Sequence, residues 1–176
     1  ILIFMEIFET ADGSHSILSD QFGVTYHSKH GAVQEAQHVF INAALRMKAT
    51  IQNNISILEI GFGTGLNALM TCLEAQKRNL NIQYVTVEAY PISLETVQSL
   101  NYGAVLPHLD ATDFFTKIHA ADWEIPTMIT DNFTITKVKK RFEDLTYQNQ
   151  FDEAILNDVL EVAFKDLENV IKANLS

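Results

Sequence analysis

Apolar positions along the chain alternate between a dense, strand-like spacing and a helical one. Ile1–Phe8 reads as a strand. The Asp12-Gly13-Ser14 that follows is turn chemistry, because Gly tolerates positive φ while Asp and Ser bond back to nearby backbone. From Gly31 to Ala49 the positions Val33, Ala36, Val39, Phe40, Ala43, Ala44 and Met47 recur at helical spacing and predict an amphipathic helix. Its polar stripe carries Glu35, His38 and Asn42, three and then four residues apart and so on one face. Ile55–Ile60 reads as a short buried strand, followed by a glycine cluster and a helix to about Lys77; Asn81–Glu88 reads as a second strand. Strand, helix and strand in so short a span predict a right-handed βαβ unit and a parallel sheet, hence an α/β class.

The segment between Glu88 and Phe133 exceeds forty residues and has helical patches at Ser93–Leu100 and Asp110–His119, so it reads as an inserted cap. Phe133–Val138 returns to β-rich composition. From Phe151 onward Ala154, Ile155, Val159, Val162, Ala163, Leu167, Val170 and Ile171 have helical spacing. The expected organisation is one domain over 1–176: a strand and helix region at 1–54, a cofactor-binding βαβ unit at 55–90, a helical cap at 91–132, and a strand with a terminal helix at 133–176.

Composition narrows the class. With 176 residues, 47% hydrophobic and 19% charged, the chain has globular proportions. No stretch approaches the roughly 20 apolar residues of a membrane span. A single cysteine, Cys72, excludes an intrachain disulfide, and with no secretory signal the expected setting is soluble and cytoplasmic. The chain opens on Ile1, and a clipped or partial chain is the expectation. A net charge of −10 argues against nonspecific binding to nucleic acid but leaves room for a local patch, and Lys137, Lys139, Lys140 and Arg141 form one dense basic cluster. It reads either as a solvated strand end or as a contact for an RNA backbone.

The strongest chemical signal is Glu59-Ile60-Gly61-Phe62-Gly63-Thr64-Gly65-Leu66-Asn67 between a strand and a helix. Such a loop admits a ligand close to the backbone and sets it against a helix N-terminus, which implies a nucleotide-like cofactor. Glu88 ends the second strand, twenty-three residues past Gly65, where a carboxylate could accept bonds from ribose hydroxyls. Three readings stand side by side. Gly63-x-Gly65-x-x-Ala68 fits a dinucleotide fingerprint in one frame. Glu59 ahead of the glycines gives E-x-G-x-G-x-G, which resembles the first motif of S-adenosylmethionine-dependent methyltransferases, and a cationic sulfonium suits a carboxylate-rich site better than a pyrophosphate does. A purely structural turn is the third.

The flanking blocks say more. Thr10–Ser14, Tyr26–Glu35, His38–Ile41 and Leu58–Asn67, in that order, resemble the methyltransferase domain of the MnmC type. The similarity continues through Val87–Pro91, Leu100–Tyr102, His119 with Trp123-Glu124, and Phe133–Lys137, covering roughly residues 1–152. The resemblance implies a Rossmann-like class I methyltransferase sheet with helices on both faces, and S-adenosylmethionine as cofactor. It also implies methylation of the aminomethyl group of a modified wobble uridine in tRNA, with a separate FAD-dependent oxidase as a further partner. By the same resemblance Glu59, Gly61, Gly63, Gly65, Asn67 and Glu88 line the cofactor site, with Tyr26 and Glu35 near the reacting end. After Asp152 the family pattern breaks: its final strands are expected to be missing or altered, and Asp158 stands one residue out of register with the family's strand-end acid, so no catalytic base is assigned.

The remaining readings are simpler. His27, His30, Glu35 and His38 have spacing that a metal site could use, but two precede the helix, and no metal is expected. Tyr26 and Glu35 could equally be a pocket wall and a carboxylate bonded to backbone, and Phe114, Phe115 and Trp123 could be core or a base-stacking platform. Two alternatives to the tRNA enzyme remain: a cofactor-binding fragment without turnover, and a small-molecule N-methyltransferase.

Overall fold

A computed structural model of the protein describes residues 5–19, 23–141, 144 and 153–156. In chain order its strands are β1 (Met5–Glu9), β2 (His15–Ser19), β3 (Val24–Thr25), β4 (Asn54–Ile60), β5 (Asn81–Val87), β6 (Thr127–Thr130), β7 (Phe133–Val138) and β8 (Glu153–Leu156). The first helix, α1 (Ala32–Ala36), continues through a π-helical segment (Gln37–Leu45) into α2 (Arg46–Lys48). Then come α3 (Leu66–Arg78), α4 (Leu94–Gln98), α5 (Tyr102–Val105) and α6 (Ala111–Ala120).

The strands form a five-stranded sheet in the order β6-β7-β5-β4-β8 and a three-stranded antiparallel sheet, β1-β2-β3. The βαβ unit forms as the pattern predicts: β4 and β5 pair in parallel from Asn54↔Asn81 to Ile60↔Val87, joined by α3. This is the expected Rossmann-like α/β class. β4 meets β5 on one side and β8 on the other, so the chain reverses its winding direction at β4. In open α/β sheets the crevice above such a switch point is where ligands bind.

One large core fills one face of the sheet. Ile55 and Ile57 of β4, Ile82 and Tyr84 of β5 and Phe133 and Ile135 of β7 pack there with buried residues of α1, the π segment and α3–α6. Leu58, Ile60 and Val87 form a smaller apolar group, with Val85 and Val138 against it. The alternation along β4 assigns these two groups to opposite faces.

Three expectations change. The 31–49 helix forms, and Ala36 and Phe40 are buried as expected, but its middle winds as a π-helix, and Ile41 and Leu45 are buried where Val39 and Met47 stand exposed. The expected cap at 91–132 contains a strand of the main sheet: β6 turns back antiparallel on β7, with Thr127 opposite Ile135. Its helical patches appear as α4, capped by Ser93, and α6, which packs against α3. Finally, Glu153–Leu156, read as the start of a terminal helix, is a strand parallel to β4. Four residues, of which three are apolar, are too few to show a period, and pairing decides their state. It occupies a place where the family's later strands were expected to be missing. Asp158 and the rest of the expected terminal helix lie outside the described residues.

Among the described residues no helix is long and apolar enough to cross a membrane.

Candidate cofactor site

The loop between β4 and α3 stands at the carboxyl edge of the sheet, where Gly61 N–H bonds to the Val87 carbonyl at 2.8 Å. Gly63 and Gly65 have φ of +51° and +74°. Sterics oppose a side chain at both as well, mildly at Gly63 and strongly at Gly65. A Cβ on Gly63 would lie 3.0 Å from the Tyr26 ring, and one on Gly65 would lie 2.6 Å from His119 Nε2. The loop is therefore packed from two sides by aromatic residues distant in sequence.

Two carboxyl groups bracket it. Glu88, just past β5, accepts the Gly63 N–H through Oε2 at 3.0 Å and the Tyr90 N–H through Oε1 at 2.8 Å. Glu59 lies beneath the loop and is fully buried. Asn67 Nδ2 donates to its Oε1 at 3.2 Å and Thr86 Oγ1 to its Oε2 at 2.8 Å. Burial pushes the Glu59 pKa up to about 8, and the bonds from Thr86 and Asn67 act against that rise.

Thr64, at the loop's centre, is held at both ends. Its hydroxyl meets His27 Nε2 at 2.9 Å and Tyr102 Oη at 3.3 Å, and its carbonyl meets His119 Nε2 at 3.1 Å. Tyr102 donates its single proton to the His15 carbonyl at 2.7 Å. The directions are consistent if His27 donates to Thr64 and Thr64 to Tyr102. Burial depresses both His27 and His119 to about 4, so both are neutral at pH 7. This network ties the three-stranded sheet, the loop and the α5–α6 layer together.

Comparison with known proteins fits this arrangement. Over 86 residues, 46% of the chain, it is 35% identical to the tRNA 5-methylaminomethyl-2-thiouridine biosynthesis bifunctional protein MnmC of Leptospira borgpetersenii. Over 96 residues, 52% of the chain, it is 33% identical to the protein of the same name from Methylibium petroleiphilum. The matched regions span 13% and 15% of those relatives' lengths. The solved structure of MNMC2 from Aquifex aeolicus superposes on 89% of the chain and 50% of its own, with a TM-score of 0.68 and 22% identity, a likeness of fold. No protein-family profile matches the chain. Over about half of its length the chain is similar to MnmC proteins.

The expected site residues fall into three sets. Gly61, Gly63 and Gly65 form the loop itself, with the half-buried Glu88 and Tyr26 both against Gly63. Glu59 and Asn67 lie underneath and brace it. Glu35 turns to backbone, accepting the Ser28 N–H at 2.8 Å, with His27 Nδ1 at 3.8 Å, and so supports the turn that carries Tyr26.

The polar stripe expected on the 31–49 helix does not persist. Asn42 accepts from Gln37 and Arg46 instead, and His38 is exposed. Among the described residues no group of three or more His, Cys, Asp or Glu is placed to hold a metal. Phe114 and Phe115 are core, with the Phe115 ring edge-on to Tyr102 and His119.

The basic cluster is also divided: Lys139, Lys140 and Arg141 are exposed, whereas Lys137 is buried. Thr64, Tyr102, His119 and Lys137 were not anticipated at the site. The one signal for Lys137 was its place in phase with the buried positions Phe133 and Ile135 of its strand.

Proposed function

We propose that this domain is an S-adenosylmethionine-dependent N-methyltransferase acting on the aminomethyl group of a modified wobble uridine in tRNA. The observation that carries the reading is the bond from Gly63 N–H to the Glu88 carboxylate. A pyrophosphate would need that amide for itself and would meet a negative charge beside it. A cofactor with a cationic sulfonium and ammonium gains from the Glu88 carboxylate, while Glu59, buried and neutral beneath the loop, braces it from below. The names of the Leptospira and Methylibium relatives, which specify biosynthesis of 5-methylaminomethyl-2-thiouridine in tRNA, supply the substrate class.

The residues present fit such a cofactor. Gly63 and Gly65 let the loop pack closely under Tyr26, Phe62 and His119 at positive φ, which holds its backbone amides in a fixed arrangement beside Glu88. Glu88 keeps further lone pairs for ribose hydroxyls while its bonds to Gly63 and Tyr90 fix its orientation. Tyr26 walls the loop and limits access of water to it. When bound, the cofactor supplies an electrophilic methyl group; the protein's task is to hold a neutral amine in line with it. A separate FAD-dependent oxidase partner and a cytoplasmic setting belong to the same proposal.

Calorimetric titration with S-adenosylmethionine, S-adenosylhomocysteine and NAD tests it. The methionine-derived pair should bind, Glu88→Ala should weaken them about tenfold or more, and NAD should not bind. Absence of binding by either member of the pair would remove the reading. Methyl transfer to tRNA bearing the aminomethyl group tests the second half. Binding without turnover would leave a cofactor-binding domain, and turnover on a small amine without RNA would move the proposal to a small-molecule enzyme.

A further inference from the structure

Lys137 stands at an inward position of β7, in phase with Phe133 and Ile135, and is only 2% exposed. The register aligns it with Thr86 of β5, and Thr86 with Glu59 of β4. Burying an ammonium group is costly, and a methionine of similar length would fill the place without that cost. Packing alone does not account for a lysine here.

What the ammonium touches does. Nζ donates to the His119 carbonyl at 2.7 Å, in the last turn of α6, where a cation also meets the negative end of the helix dipole. It lies 5.0 Å from the Trp123 ring centroid and 5.7 Å from that of Phe62, a cation shared between two aromatic rings. Those rings meet edge-on, and Phe62 is buried, so the ammonium fills the angle between them.

Two of these partners bear on the glycine loop. His119 Nε2 donates to the Thr64 carbonyl at 3.1 Å, and its ring lies 5.1 Å from that of Phe62. A Cβ on Gly65 would meet His119 Nε2 at 2.6 Å and Phe62 Cζ at 3.0 Å, so the two rings close over that glycine. The backbone of Lys137 holds the next segment: its carbonyl accepts the Glu124 N–H at 2.7 Å, beside a bridge to Trp123. One residue ties the end of α6, the turn at Trp123 and Glu124, and Phe62 of the loop to β7.

We propose that Lys137 is a positioning residue for the cofactor site: its ammonium, seated between Phe62 and Trp123, clamps His119 and through it the Thr64 carbonyl, holding the glycine loop in the shape that receives the cofactor. What the loop receives rests on the reading above; the clamp itself does not. The charge is essential to it, because a neutral amine keeps at most the one hydrogen bond and loses its attraction to both rings.

Burial lowers the Lys137 pKa from 10.5 to about 8, with Asp122 opposing that fall. The clamp therefore weakens as pH rises through about 8. The fold responds with the opposite sign: the buried charge costs stability at neutral pH, and that cost is relieved as pH rises from about 8 to 10.5. The elements around Lys137 also carry His119, neutral at pH 7, Glu124, bonded to the Lys139 N–H, and Glu88, bonded to the Gly63 and Tyr90 amides. Glu59, in the same row two strands away, is moved by burial to about 8 as well, so its effect must be separated from that of Lys137.

The wild type, Lys137→Met, Lys137→Arg and Glu59→Gln would be compared by amide hydrogen exchange of residues 61–65 without ligand, by S-adenosylhomocysteine affinity across the pH range around 8, and by urea unfolding. At pH 7 the loop amides of Lys137→Met should exchange about tenfold faster, with those of β1 unchanged, and the ligand should bind about tenfold more weakly, while the urea midpoint is not reduced. Lys137→Arg should restore both. Affinity should fall as pH passes about 8 in the wild type and in Glu59→Gln, and in neither Lys137 variant.

Unchanged loop exchange in folded Lys137→Met overturns the proposal, and leaves the cofactor reading standing where the wild type binds S-adenosylhomocysteine. Weaker binding matched by lost stability in both Lys137 variants overturns it too, by making the residue merely structural, as does a pH dependence that vanishes in Glu59→Gln and persists in Lys137→Met. No binding by the wild type, with faster loop exchange in Lys137→Met, removes the cofactor reading and keeps the clamp. If Lys137→Met does not fold, the pH transition decides, read in affinity or in the fluorescence of Trp123, the chain's one tryptophan: it must be present in Glu59→Gln and absent from Lys137→Arg.

Discussion

Thr64 joins parts of the chain that lie far apart in sequence, and its two ends do different work. Its hydroxyl meets His27 and Tyr102, while its carbonyl meets His119. Thr64→Val keeps the shape and removes the hydroxyl, leaving the buried His27 Nε2 without a partner. We expect a loss of about 1–3 kcal/mol in urea unfolding and weaker S-adenosylhomocysteine binding, both largely restored in Thr64→Ser. Equal stability and affinity in valine and serine variants would show that the hydroxyl contributes nothing. Glu59 gives a second prediction at this scale. Its pKa is raised from 4.5 to about 8 by burial, so the fold favours its neutral form; that contribution is complete below about pH 4.5 and is lost as pH rises through about 8. His27 and His119, depressed from 6.5 to about 4, act with opposite sign: their contribution is full above pH 6.5 and lost as pH falls through about 4. Glu59→Gln stays neutral, so between about pH 5 and about pH 8 the wild-type urea midpoint should decline relative to the variant's. A constant gap over that range would mean that Glu59 is already ionised in the fold. The glycines and both acids of this site were legible because residue type is forced there by φ and by charge. The partners of Thr64 were not, because contact between residues 37 and 38 positions apart leaves no periodic trace.

Among the elements, the first long helix is where a sound pattern led to the wrong face. A period of 3.6 residues places Val39 and Met47 inward, but both are about two-thirds exposed. In the π-helical segment hydrogen bonds close five residues on, and Ile41 and Leu45 join the expected Phe40 on the inward side. The Gln37–Asn42 side-chain bond, at 2.9 Å and five residues apart, follows the wider turn. What fixes this segment against α3 is Glu74, nearly buried, which accepts from Arg46 Nε at 2.6 Å and Nη2 at 3.1 Å and also pairs with Arg78. Glu74→Ala deprives two guanidinium groups of their carboxylate and is expected to cost about 2 kcal/mol in urea unfolding. A change below about 0.5 kcal/mol would place the joint in the apolar contacts of Phe40, Ile41 and Leu45 instead. By contrast, β4, β5, α3 and β7 fall close to where the pattern puts them. Their strands alternate or run apolar over six or seven residues, long enough for the period to show.

For the whole molecule, sheet order decides where the site can be, and order is the least legible property of a sequence. The βαβ pattern sets β4 beside β5, but nothing local states that β8 lies on the other side of β4, or that β6 closes the far edge. The position of β8 matters because the crevice over the glycine loop is a switch point only if a strand flanks β4 there. The parallel register Ile57↔Glu153 through Ile60↔Leu156 makes this testable without knowing any side-chain contact. Consecutive N–H groups of a strand point to opposite sides, so of Ala154 and Ile155 one directs its amide toward β4 and the other away from it. Proline removes that donor, and Ala154→Pro and Ile155→Pro should therefore differ: one loses a ladder bond and at least about 1 kcal/mol more than its neighbour. The more damaging variant should also bind S-adenosylhomocysteine more weakly, because it loosens one wall of the crevice. Urea unfolding with and without that ligand reads both effects. If the two prolines are equally harmless, β8 is not part of the sheet, the reversal of winding at β4 disappears, and the cofactor site must be sought on the β5 side of the loop alone.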